Sequence, residues 1–370
     1  MNQPLTEKIT GKPRILIAPL DWGLGHATRC IPIIKEFLNQ GCEVFLAGEG
    51  AQEVLLKTEF PQIPFLSLQG YRVHYAKSAI GLLQNMFYQT PKILRAIKNE
   101  NKWLKEKIKE YNFDAIISDN RYGLYHKGIP CIFITHQLTI KSPLGKWSER
   151  ILQKRNYRYI NRFNECWIPD EEGKNNLASE LSHPDIKPQT LLKYLGLLSR
   201  FTFHSLDEIS EHLLIILSGP EPQRTILENI IVKQIAHYNG SATIVRGIPN
   251  SISLIPSTNS ILFYNHLSVE QLNQEMDKAE FIIGRCGYST VMDVVKLGKK
   301  SILIPTPGQT EQEYLSKHLS EKQIAFCADQ KNFSLDNSLA EARNFSYQFP
   351  STINNDKLKL IIEDFIRTLK

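Results

Sequence analysis

The sequence predicts an α/β protein with two doubly wound parallel sheets that face a central cleft. Three observations favour this class: the length, the alternation of short apolar runs with longer amphipathic ones, and the return of that alternation in the second half. At roughly 150 residues per domain, 370 residues favour two domains. Apolar runs that alternate with helical patterns are typical of βαβ units and a parallel sheet.

The first half supplies four strands and two helices in this alternating order. Segment 27–41 has apolar residues at helical spacing and ends on Gly41, which suits the left-handed residue that follows many helices. The predicted strands are 14–20, 42–48, 113–119 and 129–136, and the predicted helices are 27–41 and 92–111.

The second half repeats the rhythm, so we expect two Rossmann-like domains, 1–195 and 196–370, with the boundary inside 193–205. In an alternative arrangement, the terminal helix packs back on the first domain. Helices 225–240 and 289–298 are predicted to close on Gly240 and Gly298. The predicted strands are 212–219, 241–247, 260–266, 279–287 and 300–307, and a last helix spans 356–370.

The composition excludes several classes of protein. The net charge of +6 is too small to indicate nucleic acid binding. The six cysteines are scattered without a CxxC pair, which argues against a disulfide scaffold or a zinc site and favours a cytoplasmic protein. The N-terminus lacks the apolar run of a secretory leader, and no apolar run approaches the ~20 residues of a membrane span.

The basic surplus is concentrated in the first half. Residues 1–195 hold 27 basic and 19 acidic side chains, and residues 91–162 alone hold 16 against 6. The segment 79–91, with an apolar stripe at Leu82, Leu83, Met86 and Phe87, precedes this stretch. One interpretation is an apolar stripe that faces the core, with a solvated charged face on the other side of the helix. The other is a peripheral face that meets anionic lipid on the inner side of a membrane.

Candidate chemistry in the first half follows the ends of its strands. Gly23 and Gly25 allow a tight turn and close backbone approach to a ligand, and the helix N-terminus behind them attracts anions. His26 beside them is the first candidate for a general base. His136 is the second candidate, and Asp119 and Asn120 are reserve residues for base support or acceptor binding. The structural alternative is that these residues only cap turns.

The second half offers a loop that passes from a strand through Gly287 into a helix. The amides of Gly287, Ser289 and Thr290 are expected to face an anion, and Asp293 one turn later is expected to accept hydrogen bonds from ribose hydroxyls. Read alone, Ser289 and Thr290 are also ordinary helix caps.

Further polar residues follow two other strands of this half. Gln309, Glu311 and Gln312 suit recognition of sugar hydroxyls. Gly219 ends a strand, and Arg224 at the next helix start is expected either to meet a diphosphate or to face solvent.

These motifs resemble glycosyltransferase family 28, a group with the GT-B fold whose members include the peptidoglycan lipid-intermediate N-acetylglucosaminyltransferase. The resemblance is strongest in AEFIIGRCGYSTVMD, residues 279–293, and in the acid–Gln pair Glu311-Gln312. The opening GxGHxxR loop and the THQ at 135–137 are also similar to that group.

The resemblance implies a nucleotide-sugar donor, most simply a UDP-sugar. Asp293 takes the place of the family's ribose-binding glutamate, and Gln312 that of a donor-sugar glutamine, with Glu313 where a second glutamine is usual. His266 lies where the family's loop meets the uracil base. The usual Gly-Gly-Ser that opens the second domain is replaced by residues 218–220, Ser-Gly-Pro.

The expected reaction is transfer of a hexose or N-acetylhexosamine to a hydroxyl acceptor, itself free or lipid-linked, with inversion at the anomeric carbon. No DxD pair occurs in the sequence, so neither a metal nor a cofactor is expected, and helix N-termini with Arg224 would stabilise the departing diphosphate. Two alternatives remain open: an isomerase similar to UDP-N-acetylglucosamine 2-epimerase, and a non-catalytic nucleotide-sugar-binding protein.

Overall fold

The computed structural model describes residues 11–72, 79–202, 207–249, 251–350 and 356–369, with the backbone alone for 79–89. The first half forms a seven-stranded sheet with helices between its strands. In chain order its elements are β1 (Arg14–Pro19), α1 (Leu24–Asn39), β2 (Glu43–Gly48), α2 (Ala51–Glu59), β3 (Phe65–Ser67), α3 (Ala79–Tyr111), β4 (Ala115–Asp119), β5 (Cys131–Ile134), α4 (Lys146–Ile160), β6 (Glu165–Ile168) and β7 (Leu191–Tyr194).

The second half forms a six-stranded sheet built in the same way. Its elements are β8 (Ile209–Ile216), α5 (Gln223–Ile235), β9 (Ser241–Val245), β10 (Ile261–Tyr264), α6 (Val269–Lys278), β11 (Ala279–Arg285), α7 (Tyr288–Lys296), β12 (Ser301–Ile304), α8 (Thr310–Glu321), β13 (Phe326–Cys327), α9 (Leu335–Asn344) and α10 (Lys357–Leu369). The predicted domain boundary at 195 falls between the last strand of one sheet and the first strand of the next.

The two sheets have the same topology. Their strand orders are β3-β2-β1-β4-β5-β6-β7 and β10-β9-β8-β11-β12-β13, and every pairing between these strands is parallel. The order reverses between β1 and β4 in one sheet and between β8 and β11 in the other. Ligands of open parallel sheets bind at such reversals, beyond the carboxyl ends of the strands. The predicted fold class is therefore confirmed, and the topology points to the loops after these four strands.

Apolar runs form the strands because both faces of each sheet are covered by helices. All five residues of β4 are buried, and so are the last five of β1. Gly41 and Gly298 follow α1 and α7 with φ angles of +80° and +62°, as the sequence predicts for residues that end a helix.

Two predicted helix boundaries are wrong. The helix predicted at 92–111 begins at Ala79, so the basic segment and the segment before it form one helix, α3. The side chains of its predicted apolar stripe, 82–87, lie outside the described residues. Helix α5 ends at Ile235 and not at Gly240. Gly240 is instead required by close packing, because a Cβ there would lie 2.3 Å from the carbonyl oxygen of Glu211.

The C-terminal helix α10 returns to the first half. Its Phe365 packs edge-on against Phe37 of α1 and Trp167 of β6, with ring centroids 6.4 and 5.5 Å away. Lys357 adds an ion pair with Glu171 at 2.9 Å. The first sheet is therefore covered partly by the end of the chain.

Candidate active site

The loop after β1 turns through Gly23 into α1. Gly23 has φ +85°, a conformation that residues with a Cβ rarely adopt, so glycine is required here. No side chain caps the start of α1, and its first amides are left to face the cleft. His26 lies in this first turn, which brings its ring to the carboxyl end of the neighbouring strand β4.

A buried cluster joins His26 to Asp119 at the end of β4. The His26 Nδ1 lies 3.2 Å from the Asp119 Oδ1. Arg29, one helical turn after His26, donates from Nε to the Asp119 Oδ2 at 2.8 Å, and its second terminal nitrogen contacts the Asp119 Oδ1. The same nitrogen lies 2.7 Å from the His26 Nδ1. Two of the predicted catalytic residues are thus in direct contact.

The cluster combines a neutral imidazole with an ionised carboxylate. Burial alone would raise the pKa of Asp119, but the Arg29 guanidinium and His26 reverse this and hold that pKa far below its usual range. Burial lowers the pKa of His26, and the Arg29 charge lowers it further against the opposing effect of Asp119. At neutral pH the His26 ring therefore carries one proton.

The position of that proton decides what His26 can do. Nδ1 faces both a donor, Arg29, and an acceptor, Asp119. When Nδ1–H donates to Asp119, the other ring nitrogen keeps its lone pair and can accept a proton. The side chain is 15% exposed, and in the described part of the chain no hydrogen-bond partner contacts Nε2.

His136, after β5, bridges the two halves instead of presenting a vacant nitrogen. Its Nε2 lies 2.6 Å from the Glu311 Oε1 of α8, and its Nδ1 lies 3.3 Å from Arg29. Its ring stacks on Tyr288 at the start of α7, with centroids 4.2 Å apart. Both ring nitrogens are engaged, so this geometry does not favour the predicted role of His136 as a second base.

Glu311 is held by the first half through two side chains. Besides His136, the Gln137 amide nitrogen contacts its Oε2. Burial would raise the pKa of Glu311, but His136 and then Arg29 reverse the direction and lower it. Glu311 is therefore a carboxylate at the meeting point of the two sheets.

Helix α7 also approaches the first half closely. The Ser289 hydroxyl donates to the Gly25 carbonyl at 2.9 Å, and a Cβ at Gly25 would lie 3.1 Å from that hydroxyl. Ser289 therefore does not cap its own helix. Gly287 at the N-cap has no side chain to do so, and Thr290 follows within the first turn.

The helices of the second half differ in whether a side chain caps their N-terminus. Helices α5, α7 and α8 begin without a side-chain cap, whereas α6 and α9 are capped by Ser268 and Ser334. The uncapped starts of α5 and α7 follow β8 and β11, where the strand order reverses. Uncapped helix starts offer backbone N–H groups and a partial positive charge, which suit a diphosphate.

The loop before α8 gathers the predicted amide side chains. Gln312 is buried, and its Oε1 accepts from the Thr306 amide at 2.8 Å. A Cβ at Gly287 would lie 3.9 Å from the Gln312 Nε2, so the two loops adjoin. The Gln309 Oε1 is buried without a partner among the described residues. An amide oxygen left in this way is suited to a ligand hydroxyl.

Asp293 lies on α7 beside the segment that joins the two sheets. The Ser199 hydroxyl donates to its Oδ1 at 2.6 Å. Burial raises the pKa of Asp293 to about 6, against the lowering effects of Arg200 and Ser199. His266, after β10, has a pKa lowered by burial and by the same Arg200. The Arg200 charge therefore acts on both Asp293 and His266.

Arg224 lies in neither of its two predicted settings. It is buried, and its guanidinium pairs with Glu221 at 2.6 Å and with Glu228 at 3.2 Å. Glu221 lies in the loop just before α5 and Glu228 lies one turn later on α5; together they balance the charge of Arg224, so the geometry does not favour a diphosphate contact. Gly219, at φ +102°, has open space around it.

Asn120 adopts a left-handed conformation with φ +56° after β4, and its amide donates to Ile134 of β5 at 3.1 Å.

The sequence reasoning missed two cations of the site. Arg29 stands three residues after His26, a spacing that places both on one helix face and was visible in the GxGHxxR loop. Arg285, at the end of β11, is buried and donates to the carbonyls of Gln223 at 2.6 Å and Pro305 at 3.5 Å. Burial lowers the pKa of Arg285 to about 10. In the sequence, the only sign that Arg285 belongs to the site is its position directly before the glycine loop.

Among the described residues, no group of three or more His, Cys, Asp or Glu side chains is arranged to hold a metal ion. None of the described helices is long and apolar enough to cross a membrane.

Comparisons with known proteins agree with this architecture. Residues 257–365 match the glycosyltransferase family 28 C-terminal domain. An uncharacterized glycosyltransferase of Methanosarcina acetivorans is 22% identical over 95% of this chain and 90% of its own length.

Solved structures share the fold over nearly the whole chain. The glycotransferase of kitacinnamycin has a TM-score of 0.64 at 14% identity, covering 97% of this chain and 99% of its own. Acinetobacter baumannii MurG has a TM-score of 0.54 at 13% identity, with 96% and 99% covered. The spinosyn rhamnosyltransferase SpnG, solved with thymidine diphosphate, has a TM-score of 0.56 at 13% identity, with 96% of each chain covered.

The fold and the matches together define a glycosyltransferase of the GT-B fold. The match of residues 257–365 to the family 28 C-terminal domain agrees with the resemblance found in the sequence.

Proposed function

We propose that the protein is an inverting glycosyltransferase that moves a hexose or N-acetylhexosamine from a UDP-sugar to a hydroxyl acceptor. The observation that carries this proposal is the pairing of His26 with Asp119 directly opposite the uncapped start of α7. The two lie at the strand-order reversals of their sheets, and the hydrogen bond from Ser289 to Gly25 at 2.9 Å joins them. A proton acceptor and an anion site therefore face one another.

In this proposal the donor binds to the second half. The amides of Gly287, Ser289 and Thr290 receive the diphosphate, and Asp293 receives the ribose. The nucleotide in the structural neighbour SpnG is a diphosphate, which supports this class of donor. Glu311, Gln312 and the unpartnered Gln309 oxygen are suited to the sugar hydroxyls. His266 lies beside the base.

The chemical step is a direct displacement. His26 Nε2 removes the proton of the acceptor hydroxyl, and Nδ1–H donates to the Asp119 carboxylate, which stabilises the imidazolium that forms. The acceptor oxygen bonds to the anomeric carbon as the bond from that carbon to the diphosphate oxygen breaks. The electron pair leaves with UDP, and the start of α7 and the buried Arg285 stabilise its charge. One displacement inverts the anomeric configuration.

The test measures acceptor-dependent UDP release by the wild type and by His26→Gln, after a thermal-shift screen of UDP-sugars has identified a donor that binds. We expect His26→Gln to lose about 10²- to 10⁴-fold in rate, since it retains the fold but removes the base. Asp119→Asn is expected to fall in the same range. The exposed His237→Gln serves as the matched control and is expected to keep the wild-type rate.

The outcomes separate the competing functions. A product with retained anomeric configuration would refute direct displacement. Interconversion of sugars without an acceptor would indicate an epimerase, and donor binding with neither reaction would indicate a binding protein.

We also propose that helix α4 contacts an anionic membrane surface. Leu144, Trp147 and Ile151 at its start are 65%, 73% and 51% exposed. Such a cluster of large exposed apolar side chains is unusual for a surface that meets only water. Apolar side chains flanked by cations match the interface of an anionic bilayer. The exposed cations of the helix are Lys146, Arg150, Lys154, Arg155 and Arg158.

Co-sedimentation with phosphatidylglycerol vesicles across a salt series tests this surface. Trp147→Ser with Ile151→Ser is expected to weaken binding at least about fivefold, since each buried apolar side chain contributes about 1.5–3 kcal/mol. Leu360→Ser on α10, which is 55% exposed, is the matched control. Absence of wild-type binding at low salt would exclude the membrane contact.

A further inference from the structure

A cavity of about 250 Å³ lies between helix α3 and the loop 68–72 that follows β3. It opens at the carboxyl edge of the first sheet, the edge that also carries His26. Its lining includes Arg72, Lys92 and Arg95, together with the aromatic rings of Tyr71 and Trp103. Nothing in the proposed mechanism uses these residues.

The mouth of the cavity carries more positive than negative charge. Arg72 pairs with Glu49 at 2.6 Å. Lys92 donates from its ammonium to the Arg72 carbonyl at 2.6 Å, which leaves its charge uncompensated. Arg95 is exposed, and no hydrogen bond or ion pair to it is found within the described ranges. Among the described residues, Lys92 and Arg95 therefore stand at the cavity without a carboxylate partner.

The floor of the cavity is joined by hydrogen bonds and is internally neutral. Glu100 lines it, but its carboxylate accepts from Arg121 at 2.7 Å, from the Tyr71 hydroxyl at 2.9 Å and from the Gly123 amide at 3.1 Å. Arg121 is fully buried and balances this charge. The net charge that a ligand meets is therefore set by Lys92 and Arg95.

One wall of the cavity is fixed to the loop that carries His26. The Asp21 carboxylate accepts from the amides of Tyr71 and Arg72 at 2.9 and 2.8 Å. Gly70 packs so closely on Asp21 that a Cβ would lie 2.3 Å from its carboxyl group. A ligand in the cavity is thereby held in a defined position relative to the catalytic loop.

We propose that this cavity binds a phosphate group carried by the acceptor. Lys92 and Arg95 meet the phosphate oxygens, and Tyr71 and Trp103 contact the adjoining apolar or ring portion. The volume is below the ~300–1,000 Å³ of sites that enclose a whole small molecule, so it suits one part of a larger ligand. The proposal rests on the proposed glycosyl transfer for its link to the acceptor.

Isothermal titration of the full chain with glycerol 1-phosphate, in saturating UDP, tests the site. We expect Lys92→Gln with Arg95→Gln to bind at least about tenfold more weakly than the wild type, because two charge-assisted contacts are lost. The matched control is Lys98→Gln, an exposed lysine of the same helix outside the cavity, which is expected to stay within about twofold of the wild type.

A second arm replaces the soluble phosphate by phosphatidylcholine vesicles with and without phosphatidic acid. If binding of glycerol 1-phosphate depends on Lys92 and Arg95, the result supports a water-soluble acceptor. If only binding of the phosphatidic acid vesicles depends on these two residues, the result supports a lipid-linked acceptor. Equal binding by the double variant and by Lys98→Gln in both arms overturns the proposal, as does a wild type that binds neither probe. Donor binding and UDP release are read separately, so the proposed function can fail while the cavity still binds phosphate.

Discussion

At the scale of single residues, two buried aspartates show how neighbours decide the state of a carboxyl group. Asp119 contacts the Arg29 guanidinium directly at 2.8 Å, and its pKa is held far below the usual range. Asp293 has a hydrogen bond from Ser199 and only a longer-range interaction with Arg200, so burial dominates and raises its pKa to about 6. Asp119 is thus fully ionised at neutral pH, whereas the pKa of Asp293 lies close to neutral pH.

The raised pKa of Asp293 predicts a pH dependence of stability. The folded protein binds a proton more tightly than the unfolded chain, so this group stabilises the fold below pH 4 and the contribution is lost as the pH rises towards 6. The difference between 3.8 and about 6 corresponds to at most roughly 3 kcal/mol of unfolding free energy. Asp293→Asn should remove this loss and flatten the profile, as measured by urea unfolding between pH 4 and 7.

The exposed Asp336→Asn on α9 is the control, and it should keep the wild-type slope. If Asp293→Asn retained that slope as well, the buried carboxyl group would not be the cause of the pH dependence.

At the scale of elements, the site is built from helix starts and the loops that precede them. The first amides of α1 and α7 approach one another because Gly25 and Ser289 are in contact across the cleft. The loop 68–72 is fixed through Asp21 to the start of the loop that carries His26. These loops are held by side-chain contacts with backbone amides, and small residues are needed wherever two backbones approach.

Gly70 is the glycine of the loop 68–72 that packs against the Asp21 side chain. Gly70→Ala should lower the unfolding free energy by about 1–3 kcal/mol, because a Cβ would overlap the Asp21 carboxyl group at 2.3 Å. The transfer rate should fall as well, since Asp21 leads into the loop of His26. Gly173→Ala, where the added Cβ meets nothing within 4 Å, should leave both the thermal midpoint and the rate unchanged. Equal midpoints for the two variants would contradict the predicted overlap.

The sequence alone predicted nine of the thirteen described strands, the glycine loops and a cleft shared by His26 and Asp119, and it missed β3, β6, β7 and β13. These features depend on local periodicity and on the rule that strand ends of a parallel sheet share an edge. The contact of His136 with Glu311 could not be predicted, since it joins residues far apart in the chain and depends on how the halves meet. The ion pairs of Arg224 with Glu221, just before α5, and with Glu228, on α5, were not part of the prediction for Arg224.

At the scale of the whole molecule, helix α10 links the end of the chain to the first sheet. The side chain of Phe365 is 2% exposed and lies between Phe37 and Trp167. One continuous apolar cluster includes α1, α10 and α7, so the cover of the first sheet also reaches the second half. Stability of the two halves is therefore expected to be coupled.

Phe365→Ala should cost about 3–5 kcal/mol of unfolding free energy, because it leaves a cavity beneath α10. Leu360→Ala on the same helix, at a position 55% exposed, should cost well under 1 kcal/mol. Urea unfolding followed by tryptophan fluorescence measures both, since Trp167 lies in contact with Phe365. A small cost for Phe365→Ala would show that α10 is not required for the fold.

Because α10 returns to the first sheet, the chain passes between the halves twice. A single proteolytic cut between β7 and β8 would therefore leave the two pieces associated, with the second piece still attached through α10. Conversely, expression of residues 1–195 alone would expose Phe37 and Trp167 to water. The cover of the first sheet is thus completed only after helix α10 has been synthesised.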